Sequence, residues 1–117
     1  MKLVPIILLL VTSSAIAQTD ADTFYSELNK LRGHHHQLIP DTTIAKSAEA
    51  WIKLIGTSLH HNFADQYAEV LAISYDPLNA WLNSPPHKKT ILNKQYRYVG
   101  YAIVMIDGKP VACARFR

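Results

Sequence analysis

Apolar residues recur along this chain first as an unbroken run, then at helical spacing, then in short β-prone stretches, and each change of pattern marks an element. The run is Leu3 to Val11. Within Asp22 to Leu31, Phe24, Leu28 and Leu31 stand three and four residues apart, which predicts an amphipathic helix with Gly33 as its stop. Gly33-His34-His35-His36-Gln37 then connects to Leu38-Ile39-Pro40. Asp41 is placed to cap a second helix that runs to about Ile55 and is closed by Gly56. Ile44, Ala48, Trp51, Ile52 and Ile55 form one stripe of that helix, and Lys46, Glu49 and Lys53 occupy the other side.

The periodicity breaks between Thr57 and Gln66, a loop that carries His60 and His61. Tyr67 to Ile73 has the pattern of a buried strand interrupted by one carboxylate, Glu69. Asp76-Pro77 and Ser84-Pro85 each place a capping residue before a proline in the first helical turn, which predicts two short helices, through Trp81 and through Leu92. Tyr98–Met105 and Val111–Phe116 are β-prone runs joined around Asp107-Gly108, a pair suited to a tight hairpin turn. The expected order is helix, helix, strand, short helices, hairpin, an α+β chain without repeats or an interdomain linker.

The first residues change the picture of where the chain works. Met1-Lys2, the short apolar run and Ala15-Ile16-Ala17 before Gln18 have the layout of a secretory signal peptide, and the run is too short to span a bilayer. Residues 1–17 are therefore expected to be removed, leaving residues 18–117 as one small domain that is secreted or periplasmic and has no membrane-spanning segment. The chain holds 117 residues and one cysteine, Cys113, so an intramolecular disulfide is excluded and a buried thiol on a strand is expected. Its formal net charge of +3 comes from scattered residues of both signs, without a basic stripe interleaved with aromatics, so no nucleic-acid partner is expected.

Three residues stand out as candidate chemistry: His61 in the loop, Glu69 in the apolar strand and His87 near the start of a helix after Ser84-Pro85-Pro86. His34-His35-His36 lies on a flexible connection without the fixed geometry of a selective metal site. Tyr96, Tyr98 and Tyr101 fall in the strand region, and Trp51 and Trp81 are assigned to the core.

The flanks of these residues carry a resemblance. Leu59-His60-His61-Asn62 followed by Tyr67-Ala68-Glu69-Val70-Leu71-Ala72 resembles the signature of the CAP superfamily (cysteine-rich secretory, antigen 5 and pathogenesis-related proteins), in which a histidine precedes a Gly-Glu-Asn strand; His61 fits that position better than His60. Ala80-Trp81-Leu82-Asn83-Ser84-Pro85-Pro86-His87-Lys88-Lys89-Thr90-Ile91-Leu92-Asn93 resembles the short bacterial-type pattern Trp-Met-x-Ser-Pro-Gly-His-Arg-x-x-Ile-Leu. Tyr98-Val99-Gly100-Tyr101-Ala102 looks like the family's Val-Gly-x-Gly or Val-Gly-x-Ala strand that follows it. Upstream, Asn29 and Arg32 match an Asn-x-x-Arg helix, and Leu38, Asp41, Ile44 and Ala48 its continuation. The departures are Ala68-Glu69-Val70 for Gly-Glu-Asn, Pro86 for a glycine, and Ser84 where many eukaryotic members carry a second cleft acid.

The resemblance implies an α-β-α sandwich, a small antiparallel sheet between helical layers, with His61, Glu69 and His87 converging on one cleft. Two imidazoles and one carboxylate are a ligand set used by catalytic zinc sites, so Zn²⁺ at these three residues is one expectation. A hydrogen-bonded cluster tying loop, strand and helix together is the other. Three functions follow: a non-catalytic exported module whose cleft holds a divalent metal or a small, lipid-like ligand; a zinc-dependent hydrolase; and an interaction scaffold whose cluster is purely structural. Ser84 is assigned to helix capping and not to nucleophilic catalysis.

Overall fold

The computed structural model describes residues 20–64 and 66–117; the expected signal peptide lies outside them. Helix α1 covers residues 20–32. The remaining elements are β1 (Ile39–Pro40), α2 (Thr42–Ile55), β2 (Ala68–Ile73), α3 (Pro77–Leu82), α4 (Pro85–Ile91), β3 (Tyr98–Ile106) and β4 (Lys109–Phe116). The strands form one sheet in the order β1-β3-β4-β2. It is mixed and not wholly antiparallel, because β1 pairs parallel to β3. That two-residue strand is invisible in the sequence, where Leu38-Ile39-Pro40 looks like a plain connection.

Local signals account for most of the boundaries. Asp41 accepts a hydrogen bond from the Ile44 backbone N–H at 2.9 Å, and Gly56, at φ 60°, closes α2 by donating to the Ile52 carbonyl. Asp107 and Gly108 both have positive φ, which a two-residue hairpin turn of matching twist requires. Asp76 caps α3 through the Asn79 N–H. Ser84 holds the corresponding position before α4 but makes no side-chain cap bond, so Pro85 and Pro86, with their fixed φ, set that start alone.

Strand parity sorts the sheet's side chains into two layers. On one face, Val70, Val99, Tyr101, Ala112, Ala114 and Phe116 pack with Phe24 and Leu28 of α1, Leu78 and Trp81 of α3 and Ile91 of α4. On the other, Leu71, Val111 and Cys113 pack with Ala48, Ile52 and Ile55 of α2. Trp51 is half-buried at the margin of this second layer and is not a core residue as expected; Trp81 is fully buried. Its indole N–H donates to the Leu71 carbonyl at 3.0 Å and so occupies a polar group of the edge strand β2.

Two further features position the layers. Gly100 sits directly beneath α2, and a Cβ there would fall inside the backbone of Ile44 and Ala45. The helix approaches the sheet so closely because that atom is missing. In α1, the position one turn beyond Leu28 is taken by buried Arg32, while Leu31 is exposed, contrary to its place in the expected stripe. Arg32 donates to the carbonyls of His36 (2.7 Å), Ile91 (2.8 Å) and Tyr96 (3.1 Å), and burial pushes its guanidinium below the ordinary value. Asn29 completes the fastening by exchanging two hydrogen bonds with the Leu38 backbone.

Candidate functional site

Glu69 lies near the start of β2 on the parity that faces α2, opposite Arg115 of β4 in the strand register. The Arg115 Nε–H donates to Glu69 Oε2 at 2.8 Å. The His61 Nδ1–H donates to the other oxygen, Oε1, at 2.9 Å. Both oxygens of the carboxylate are therefore engaged. The Glu69 and Arg115 side chains are 6% and 2% exposed and that of His61 43%, so the cluster is a buried ion pair with a histidine lid open to solvent.

The surroundings hold Arg115 in place. Its Nη1 donates to Ser47 Oγ at 3.2 Å, and its guanidinium carbon lies 6.0 Å from the Trp51 ring centroid and 5.7 Å from that of Tyr67. Ser47 and Trp51 are one turn apart on α2, beside its buried stripe. Trp51 also fixes the loop, since its indole N–H donates to the His60 carbonyl at 2.9 Å. His60 itself turns away: its Nδ1–H donates to the Ser58 carbonyl at 2.8 Å, which leaves His61 to reach Glu69. Cys113, buried two residues before Arg115 on β4, brings Sγ to 3.8 Å from Glu69 Oε2. Burial first, and the Glu69 charge second, push its thiol far above the ordinary range, so it is a neutral packing group and not a nucleophile.

His87 makes no bond to this arrangement. It is half-buried on α4, which joins the other layer of the sheet through Ile91, and makes no hydrogen bond or ion pair among the described residues. Glu69 and His61 are brought together; His87 is not joined to them. Among the described residues no group of three or more His, Cys, Asp or Glu side chains is placed to hold a metal ion. The donor set also does not fit zinc on chemical grounds. The carboxylate is already neutralised by a guanidinium, and a second cation at the same oxygens meets the charge of Arg115. His34 and His35 are exposed on their turn. Arg115, the central partner, escapes a reading of the sequence because a charge near the end of a β-prone run looks solvent-facing; the signal available is its parity with Cys113, two residues before it.

No protein-family profile matches the chain, and no curated protein sequence does. Solved structures do. An outer surface protein from Borrelia burgdorferi superposes with a TM-score of 0.73 at 24% identity, over 86% of this chain and 92% of that one. An extracellular protein containing an SCP domain from Bacillus anthracis gives 0.69 at 20% identity, over 87% of this chain and 41% of the longer partner. Hookworm platelet inhibitor gives 0.58 at 12% identity, over 82% and 69%. With its helical layers on both faces of a four-stranded sheet, the chain has the CAP, or SCP-like, fold.

Proposed function

We propose that this protein is an exported, non-catalytic CAP-fold module that works through its outward surfaces, with Glu69, Arg115 and His61 as an internal fastener. The observation that carries the proposal is the double engagement of Glu69, whose two oxygens are held by a buried guanidinium and an imidazole. A carboxylate so occupied is poorly placed to serve as the base for a substrate or an activated water. Export is supported by the Met1–Ala17 pattern and by likeness to proteins described as outer-surface and extracellular; no helix among the described residues is long and apolar enough to cross a membrane.

The test is elemental analysis and zinc titration of untagged protein, with intact mass of the exported form. Expected are a chain beginning near Gln18 and no stoichiometric zinc. One zinc per chain, lost in both His61→Ala and His87→Ala, overturns the fastener in favour of the metal site, and turnover of a peptide or ester panel by that zinc form favours the hydrolase. A second reading, a cleft for a small or lipid-like ligand, is supported by one arrangement: the half-exposed His61 ring lies 5.9 Å from the ring of the exposed Phe63. A ligand that co-purifies with the parent protein and is lost in Phe63→Ala, with stability unchanged, would favour this second reading.

A further inference from the structure

A groove of about 410 Å³ opens on the face of the sheet opposite the Glu69 cluster, between the start of α1, the β2–α3 turn and the β3–β4 hairpin. The size suits a small organic molecule. Its floor is apolar, formed by Phe24, Leu78, Tyr101 and Ile103, with the Phe24 and Tyr101 rings stacked at 3.9 Å between centroids. Around it stand the carboxylates of Asp20, Glu27 and Asp76, and no lysine, arginine or histidine is among the described residues that line it. On a chain of net charge +3, such one-signed lining is a local reversal of the overall balance. The Tyr75 and Met105 side chains extend the apolar surface to the opening, where they are 81% and 55% exposed.

From this combination we infer that the groove binds a small organic cation, an ammonium group carried on an apolar body. A compact divalent ion needs several oxygens converging at short distance, and these carboxylates do not form such a cluster. Spread around an aromatic, lipophilic opening, they suit a diffuse and weakly hydrated cation, which gains from aromatic faces as well as from carboxylate charge. An anionic lipid meets the wrong sign of potential. The convergence of charge registers on the floor itself: after burial, the Asp20 carboxylate, and also that of Asp76, holds the Tyr101 hydroxyl above its ordinary value. The site is separate from the His61–Glu69–Arg115 fastener and does not depend on it.

Benzyltrimethylammonium is the probe, titrated into purified protein while the Met105 methyl and Tyr75 ring resonances are followed by NMR. Saturable shifts at roughly millimolar probe are expected, with phenylacetate and benzyl alcohol binding at least about tenfold more weakly, and with affinity falling as salt is raised. The double variant Glu27→Gln, Asp76→Asn should lose roughly tenfold in affinity; both positions are exposed, and asparagine can still cap α3, so the amide spectrum should otherwise stay as in the parent. Tyr75→Ala is a second, uncharged variant expected to weaken binding with the fold intact. Absence of saturable shifts, equal binding of the three probes, or parental affinity in the double variant overturns the assignment.

Discussion

On one face of the sheet Phe24, Trp81, Tyr101 and Phe116 bury large rings within one layer; on the other, α2 meets aliphatic side chains such as Leu71 and Val111, a bare glycine and one ion pair. Alternating residues of β2, β3 and β4 build both. The aromatic face draws its stability from area, spread over many contacts of which each side chain supplies a share. The α2 face concentrates its dependence in two places, the missing Cβ of Gly100 and the Glu69–Arg115 pair. A single substitution is therefore local on the first face and tests the docking of a whole helix on the second.

The largest effect is expected at Gly100. In Gly100→Ala the new carbon meets the α2 backbone, which cannot rotate away as a side chain can, and a loss of more than about 3 kcal/mol is expected in urea unfolding. A change within experimental error would show that α2 docks less tightly than the contact implies. Trp81→Ala should follow at about 3 to 5 kcal/mol, and Trp81→Phe should cost less while leaving the Leu71 carbonyl without its donor. In a Trp51→Phe background, Trp81 emission should be that of a buried indole.

The fastener gives the comparison its sharpest form. Glu69→Ala leaves the buried Arg115 guanidinium without its anion and is expected to cost about 3 to 5 kcal/mol, whereas replacing both members of the pair with apolar residues of similar volume should recover much of that. His61→Ala removes only the solvent-open member and should cost under about 1 kcal/mol. Equal effects at His61 and Glu69 would contradict a fastener centred on the ion pair.

The smallest expected effect is a slope with pH. Burial raises the Cys113 thiol on the α2 face, and the Tyr25 and Tyr101 hydroxyls on the aromatic face, above their ordinary values of 9.0 and 10.0. Each group is neutral when protonated, so the folded chain retains protons that the unfolded chain releases. Stability is thus fully present below about pH 9 and declines as the pH rises toward the folded values. Denaturant midpoints measured from neutral to alkaline pH should fall above that point, and Cys113→Ala should make the fall shallower. A midpoint that rises with alkaline pH would reverse the sign of the burial argument.

How much of this is legible in the sequence follows from the reach of each interaction. Asp41, Gly56 and Asp107-Gly108 act within four residues, so their caps and turn are visible before any fold is known. β1 is not, because Ile39 and Pro40 become a strand only when β3 passes alongside, far along the chain. The same limit explains the site. His61 and Glu69 stand out as residues, while the partner that gives Glu69 its role lies 46 residues beyond it, hidden within a β-prone run. Asn29 and Arg32 show as motif residues, yet their use, collecting backbone carbonyls from Leu38 to Tyr96, depends wholly on tertiary placement.

The strand order also governs how this fold comes into being. β4 follows the other strands in sequence but lies between β3 and β2, so the middle of the sheet is supplied last. While the chain is being made, β2 has no neighbour to pair with, α2 lacks Val111 and Cys113 beneath it, and Glu69 waits for Arg115. Pairings that reach so far along the chain make folding a late event of high contact order. A translation product stopped just before Lys109 would leave β2 and β3 without the strand that joins them.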